Sequence, residues 1–322
     1  MLKTALFLAV VLALSMLLLG GCGSSCSRIT PTTGPGLLAF FSTRTENYDA
    51  YLYDYQSEAL VSLPGINSSS YDESPHVSPD GRYVAFSSNR SGGTGNYDIY
   101  LYDRNSSSFV SLPGLNSGDD DASPCLSSNA NFLVFSSVRG PTSGIYLYGR
   151  TAGALVDLPG LSVTSSMDHS PFISSDGRWI VFESNRAGGS GGHDIYLYDR
   201  NTSSLVSLPG LNSSAAEMTP SISADGNLIA FSSNRSGGAG GDDVYLYNRA
   251  TSSLVSLPSL NTSADEWDTE ISPDGRYIAF TAYNRAGGSG GWDIFVYDRS
   301  TSSLLTTPNL NSSSLDELRG LD

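Results

Sequence analysis

Apolar and polar positions along the chain form short runs that return at a fixed period. The clearest copy is Ser78-Pro79-Asp80-Gly81-Arg82-Tyr83-Val84-Ala85-Phe86-Ser87-Ser88-Asn89-Arg90. A Gly-rich spacer follows, then Asp98-Ile99-Tyr100-Leu101-Tyr102-Asp103-Arg104, and Phe109-Val110-Ser111-Leu112-Pro113-Gly114-Leu115-Asn116 closes the unit. Val84 to Ser88, Ile99 to Asp103 and Phe109 to Leu112 have strand length and are rich in β-branched and aromatic residues. Glu73 to Ser78 supplies an inner strand ahead of the Asp-Gly turn, and no stretch after Cys22 has a helical period.

Aligned on that turn, Asp80, Asn129, Asp176, Asp225 and Asp274 recur at 49, 47, 49 and 49 residues. A constant spacing of this size with four short strands per unit predicts propeller blades. The second strand carries Phe40, Phe86, Phe135, Phe182, Phe231 and Phe280; the third carries Tyr53, Tyr102, Tyr148, Tyr198, Tyr247 and Tyr297. Beside each tyrosine stands Leu52, Leu101, Leu147, Leu197, Leu246 or Val296, which points to the opposite face of the strand. Both faces of every sheet are therefore apolar, and a closed ring covers them all.

Strands two to four occur six times, but a first strand precedes only five of the Asp-Gly positions. The missing copy is at the end of the chain, where Asn311-Ser312-Ser313-Ser314-Leu315-Asp316-Glu317 matches Asn67-Ser68-Ser69-Ser70-Tyr71-Asp72-Glu73. The expectation is an all-β, six-bladed β-propeller of four-stranded antiparallel blades over 37–322. Leu318 to Asp322 would return as the innermost strand of the first blade.

Composition adds an address. Lys3, the single lysine, precedes an apolar run from Ala5 to Leu19 that ends in Leu19-Gly20-Gly21-Cys22. The last four residues resemble a bacterial lipobox, which implies a lipoprotein signal peptide over 1–21 with lipidation at Cys22, ahead of a flexible tether of Ser, Thr, Pro and Gly over 22–36. An ordinary signal peptide or an uncleaved anchor is the other reading. Gly23 after the cysteine favours the outer membrane in a cell that has one, so the expected location is the envelope, periplasmic or facing the outer membrane. Cys26 and Cys125 leave a disulfide open, with Cys125 more simply a small buried side chain. The net charge of −15 argues against nucleic acid as a partner.

The unit resembles the propeller repeat of the TolB-like proteins, the Tol biopolymer-transport family. The resemblance rests on Ser-Pro-Asp-Gly-Arg (Ser78 to Arg82, Ser272 to Arg276), Phe-Ser-Ser-Asn-Arg (Phe86 to Arg90, Phe231 to Arg235) and Asp-Ile-Tyr-Leu-Tyr (Asp98 to Tyr102, Asp194 to Tyr198), and it covers Gly36 to Asp322. It implies a propeller outside the cytoplasm that serves as a protein-binding platform at the envelope. Related propellers gate peptidases, but no hydrolase domain follows this one.

Two acidic columns meet at one rim. The first is Asp72, Asp121, Asp168, Glu217, Glu266 and Asp316, just ahead of the inner strand; the second is Asp49, Asp98, Asp194, Asp243 and Asp293, with Gly144 in the third blade. Opposite the second stand Arg44, Arg90, Arg139, Arg186, Arg235 and Arg285, which suggests an Asp–Arg pair or a turn hydrogen bond in each blade. The first column is the candidate binding rim. Six carboxylates around one mouth would draw a basic partner or a Ca²⁺ ion, whereas the structural alternative is loop capping through backbone N–H groups. No other cofactor and no metal ligand set is indicated.

Gly188 to Gly192 and Gly287 to Gly291 match G-x-S-x-G, but they lie between two strands, and other copies replace the serine. They read as flexible loops rather than nucleophile elbows. His76, His169 and His193 occupy different columns and form no triad pattern, so no catalytic residue is assigned. Where copies depart from the consensus, Trp179, Trp267 and Trp292 are candidate aromatic contacts, either for sugar rings or a protein, or else blade packing. The sequence thus predicts a monomeric, lipid-anchored, non-catalytic platform for an envelope protein partner. A glycan-binding propeller is the alternative and a propeller hydrolase or lyase a more distant one.

Overall fold

A computed structural model of the chain describes residues 36–139, 143–161 and 166–318. The leader, Cys22, Cys26 and the tether to residue 35 lie outside the described residues, as do 319–322. The described part is built of short β-strands with one 3₁₀ turn at Ser128–Ala130. No helix among the described residues is long and apolar enough to cross a membrane.

The first blade opens with β1 (Leu37–Ser42), β2 (Asp49–Asp54) and β3 (Ala59–Leu60). The second is β4 (Asp72–Val77), β5 (Tyr83–Ser88), β6 (Asp98–Asp103) and β7 (Ser108–Val110). The third is β8 (Asp121–Leu126), β9 (Phe132–Ser137), β10 (Gly144–Gly149) and β11 (Ala154–Val156). The fourth is β12 (Asp168–Ile173), β13 (Trp179–Ser184), β14 (Asp194–Asp199) and β15 (Ser204–Val206). The fifth is β16 (Glu217–Ile222), β17 (Leu228–Ser233), β18 (Asp243–Asn248) and β19 (Ser253–Val255). The sixth is β20 (Glu266–Ile271), β21 (Tyr277–Tyr283), β22 (Trp292–Asp298) and β23 (Ser303–Leu304), and the chain returns as β24 (Asp316–Glu317).

Each blade is one antiparallel four-stranded sheet, and the first has the order β24-β1-β2-β3. The six-bladed ring is thus closed by the C-terminal strand, paired Phe41↔Glu317 and Ser42↔Asp316. The closing strand starts at Asp316, two residues earlier than the repeat count suggested. The cause is that Asp316, like Asp72, begins pairing at the conserved acid itself.

The phenylalanine and tyrosine columns are the largest fully buried side chains, and the neighbouring Leu52, Leu101, Leu147, Leu197, Leu246 and Val296 are buried as well. Burying an aromatic or leucine side chain contributes roughly 1.5–3 kcal/mol, so both faces of every blade stabilise the ring only where a neighbour covers them. Each tyrosine hydroxyl also donates to a proline carbonyl of the preceding blade. Tyr102 reaches Pro64 O at 2.8 Å and Tyr53 reaches Pro308 O at 2.8 Å, so the tie across the chain ends has the same geometry as the others.

The inner strands share an irregularity. Each of β4, β8, β12, β16 and β20 shifts register against its partner between its second and fifth residues. The residue at the bulge has positive φ: Ser74 (48°), Ser123 (50°), Ser170 (45°), Thr219 (46°) and Asp268 (49°). None is glycine, and β-branched Thr219 is a true outlier there. The bulge re-aims the residues that follow it, so the fifth residue reaches the next blade. His76 Nδ1 accepts from Leu126 N–H at 3.2 Å, and Ser221 Oγ accepts from Ile271 N–H at 2.9 Å.

Candidate functional site

The two acidic columns do meet on the side of the ring that carries the loops between strands two and three. Their roles differ from the sequence expectation. Asp72, Asp121, Asp168, Glu217, Glu266 and Asp316 are at most 1% exposed, and each is taken by an arginine. The pairs are Arg90–Asp72 (2.6 Å), Arg186–Asp168 (2.9 Å), Arg235–Glu217 (2.9 Å), Arg285–Glu266 (2.6 Å), Arg44–Asp316 (2.5 Å) and Arg139–Asp121. The arginine column therefore serves the first acidic column, not the second that it faces in sequence. In five of the six the second carboxylate oxygen takes up a loop N–H, as at Ser68 N–H to Asp72 Oδ2 (2.6 Å) and Ser312 N–H to Asp316 Oδ2 (2.6 Å), whereas Asp168 Oδ2 has no hydrogen-bond partner among the described residues. Each guanidinium also lies over two rings, as Arg186 does at 4.9 Å from Phe182 and 4.6 Å from Tyr196, and Arg90 lies over a third, Phe109, at 5.0 Å. The six acids are latches inside the blades, and a ring of open carboxylates is not formed.

Asp98, Asp194, Asp243 and Asp293 of the second column accept hydrogen bonds from the glycine loops, and Asp49 accepts from the Thr45 hydroxyl. Asp194 takes Ser190 N–H at 3.0 Å and Asp243 takes Ala239 N–H at 3.0 Å, and burial raises the carboxyl pKa of Asp49, Asp98 and Asp293. The glycines are required by this close wrapping. A Cβ on Gly189 would stand 1.9 Å from Asp194 Oδ2, and one on Gly191 1.8 Å from Ala215 O. The G-x-S-x-G segments are thus turns folded onto a buried acid rather than flexible loops, and β14 rather than a helix follows.

Between these latches the blades present the positions where they differ. The N–H of the first inner-strand residue donates to the residue ahead of strand three in the preceding blade: Asp72 to Tyr48 O, Asp121 to Tyr97 O, Asp168 to Ser143 O, Glu217 to His193 O and Glu266 to Asp242 O. This bond sets one variable column, Tyr48, Tyr97, Ser143, His193 and Asp242, with Trp292 at the matching place in the sixth blade by sequence, beside another at the second inner-strand position. The latter reads Glu73, Ala122, His169, Met218, Trp267 and Glu317. Together they form the mouth of the ring on its loop side.

The mouth is chemically uneven. At the seam of the first two blades, Tyr97 Oη donates to Glu73 Oε1 at 3.3 Å, and the Tyr48 and Tyr71 rings meet edge to face at 5.1 Å. Burial, with Glu73 beside it, pushes the Glu317 carboxyl up to about 7. Burial first and then Glu317 and Glu73 raise the Tyr48 phenol. Across the mouth Ser143 Oγ lies 3.3 Å from His169 Nδ1, and burial with the nearby His169 lowers the His193 pKa. Burial, with Asp265 and Asp243 nearby, raises the Asp242 carboxyl pKa. The repeat count passed over Glu73, Glu317, Tyr48 and Tyr97 because it scored positions by recurrence. The signal that finds them is the opposite one, a position next to an invariant acid where the six copies disagree.

Deeper in the bore His76, Cys125 and Glu270 come together, with His76 Nε2 3.4 Å from Cys125 Sγ and 3.8 Å from Glu270 Oε1. Because His76 Nδ1 accepts from Leu126 N–H, Nε2 carries the proton. The imidazole is then a donor toward the thiol rather than its base, and its free nitrogen is not offered to a metal. Cys125 is buried, as the sequence suggested. Among the described residues no group of three or more His, Cys, Asp or Glu side chains is arranged for a metal ion.

The three tryptophans separate. Trp179 is packed on the opposite side of the ring between Arg178 (4.2 Å) and Arg249 (4.1 Å), and a Cβ on Gly226 would come within 2.4 Å of it. It is 8% exposed and joins the fourth blade to the fifth, so it belongs to blade packing. Trp267 and Trp292 stand on the mouth. Trp292 pairs with Tyr283 at 5.1 Å where β21 and β22 run one residue longer than their counterparts, and Tyr283 is 45% exposed.

No family model and no curated protein matches the sequence. Solved structures do match. TolB from Acinetobacter baumannii aligns with a TM-score of 0.66 at 20% identity over 88% of this chain and 65% of that one. The chain therefore spans about two thirds of that TolB. A TolB described as putative, from Agrobacterium tumefaciens, aligns with a TM-score of 0.61 at 19% identity over 86% and 90% of the two chains. An oligogalacturonate lyase from Vibrio parahaemolyticus aligns with a TM-score of 0.50 at 12% identity over 81% and 86%. At these identities the likeness speaks to the fold, and the fold is that of a TolB-like six-bladed β-propeller.

Proposed function

We propose that the chain is a lipid-anchored propeller of the cell envelope whose loop-side mouth is a non-catalytic platform for a protein partner. In this reading 1–21 is a lipoprotein signal peptide, Cys22 the lipidated residue, 22–36 a tether and 37–322 the monomeric binding body, with no cofactor. One observation carries it: the scaffold positions are repeated blade by blade, whereas the two columns that line the mouth change around the ring, with only Tyr48/Tyr97 and Glu73/Glu317 alike within them. A surface that served only the ring would have no reason to vary there. The buried latches leave the first acidic column as support for that surface rather than the surface itself.

The test is site-specific photocrosslinking in envelope extracts, from Tyr71 or Tyr283 at the mouth and from Asn105 on the opposite side. A discrete protein adduct from the mouth positions and none from Asn105 is expected. Adducts from Asn105 alone, or from no position, would overturn the platform. The pair of exposed Tyr283 and half-buried Trp292 favours a second reading, a glycan-binding mouth, since such rings stack on sugar faces. Retention on envelope polysaccharide without a protein adduct would select it.

A further inference from the structure

Aromatic side chains are not spread evenly around the mouth. Two further positions of each blade join the two columns there, the residue ahead of the inner strand and the residue after strand two. Their backbones pair, as Asn89 N–H with Tyr71 O and Tyr283 N–H with Asp265 O. Across these four positions the ring carries six tyrosines and tryptophans: Tyr48, Tyr71, Tyr97, Trp267, Tyr283 and Trp292. All six fall on the sixth, first and second blades, which are neighbours through the closure of the ring. The third and fourth blades expose Val138 and Met167 instead. Tyr71 meets Tyr48 at 87° and 5.1 Å, and Tyr283 meets Trp292 at 49° and 5.1 Å. Charge on this side is of one sign. No lysine or arginine occupies any of the four positions. Among the described residues, the arginines of the loop side are the six latch residues, with side chains at most 15% exposed. The others stand at the Asp-Gly turns opposite, as Arg104 on Gly81 O and Arg178 on Asp199. Glu46, two residues ahead of Tyr48, and Asp265, whose carbonyl takes Tyr283 N–H, are exposed.

We propose that the docking surface is this half of the mouth alone, and that it receives a basic peptide segment of a protein partner whose lysine or arginine side chains lie against the exposed rings. The inference rests on the platform reading and deepens it, by saying where the partner sits and what charge it brings. Tyrosine and tryptophan dominate the binding energy of protein interfaces, and a cation over a ring gains from its quadrupole while its charge meets the carboxylates of this side. An acidic segment would meet like charge. The ring angles favour a peptide over a sugar. A pyranose stacks on a flat, open ring face, whereas rings tilted against one another leave edges and clefts that side chains fill.

Fluorescence of the full chain reads this directly, because Trp267 and Trp292 belong to this half of the mouth and Trp179 is buried on the other side. The probe is acetyl-Lys-Leu-Lys-Pro-Leu-Lys-amide, with its glutamate counterpart as the control. The basic peptide should shift the emission to saturation and bind about tenfold more weakly when salt rises from about 0.05 M to about 0.5 M, while the acidic one produces no shift. Tyr71→Ala and Tyr283→Ala change exposed side chains and should each weaken binding about fivefold or more with the melting transition retained. Val138→Ala and Met167→Ala, exposed on the third and fourth blades, should leave it unchanged. Equal binding of the acidic peptide, equal effects of all four substitutions, or no binding to the parent chain would overturn the proposal. Retention on envelope polysaccharide that Tyr71→Ala and Tyr283→Ala abolish, with no peptide bound, would give the rings to a glycan and overturn it too. Photocrosslinkers at Val138 and Met167 separate this inference from the platform. Protein adducts there as strong as those from Tyr71 and Tyr283 would overturn the half-mouth surface and leave the platform standing.

Discussion

Arg44, in the first hairpin of the propeller, donates at 2.5 Å to Asp316, which lies 272 residues further along the chain. The same guanidinium reaches Leu310 O at 2.7 Å, and Leu318 is buried in the cluster that holds Leu38, Phe40 and Tyr53. The chain ends are thus joined by the same latch that closes every other blade. Removing 312–322 takes away the latch acid, the β24 pairing and Leu318 together. A sharp drop in melting temperature is expected by calorimetry, with loss of cooperativity between the first and sixth blades. An unchanged melt would show that the ring does not depend on this closure.

A latch within a blade can be tested without touching the ends. Asp72 is fully buried and Arg90 half-buried, and Asp72 also accepts from the N–H and the hydroxyl of Ser68. Removing the cation leaves a buried carboxylate that only partial hydrogen bonding compensates. Arg90→Ala should cost about 3–5 kcal/mol in denaturant unfolding, and the double variant Arg90→Ala/Asp72→Asn should recover part of it. Equal losses in single and double variants would mean that the pair acts through packing alone.

Much of the fold was legible because a ring multiplies its constraints. Phe86 and Tyr102 each recur in six copies, since every blade must fill the same space between two neighbours, and the closing strand followed from matching Asp316 to Asp72. The partner of each arginine was not legible. Arg90 stands eight residues from Asp98 in sequence, but Asp72 reaches it across the β4–β5 pairing, and only the register shows that. Trp179 and Trp292 look alike as departures from consensus, yet one begins its strand on the side of the Asp-Gly turns and the other on the loop side. Side, not residue type, decides which is packing and which is surface.

Trp179 and Trp292 accordingly predict opposite phenotypes. Trp179→Ala removes a ring held between two arginines at a blade junction and should destabilise the chain by about 3–5 kcal/mol, with the binding behaviour of the folded fraction preserved. Trp292→Ala should leave the melting temperature nearly unchanged and weaken adduct formation or polysaccharide retention. The reverse assignment in melting and crosslinking assays would place the interaction surface on the other side.

Calcium offers a plain check on the acid ring. The six carboxylates of the first column are each taken by an arginine and five of them also by a loop N–H, so a Ca²⁺ ion would have to displace charge-assisted bonds to gain oxygen ligands. Thermal melts with added Ca²⁺ and with a chelator should coincide. A Ca²⁺-dependent rise in melting temperature would return the column to the list of binding groups.

The last expectation concerns pH. Glu317 is held at about 7 in the folded chain, against an unfolded value near the ordinary glutamate pKa of about 4.3. The folded state therefore keeps a proton that the unfolded state has already lost, and the sign follows: stability falls as pH rises through that window and levels off above it. The full effect is on the order of 3 kcal/mol if the burial of Glu317 and the charge of Glu73 act undiminished. Glu317→Gln cannot lose the proton, so its stability should run flat between about pH 4.5 and 7 where the parent declines, and it should exceed the parent at pH 8. Urea unfolding of both chains across that range measures the difference. Parallel curves would mean that the carboxyl at the seam is already ionised at neutral pH, with a cation of the chain itself beside it.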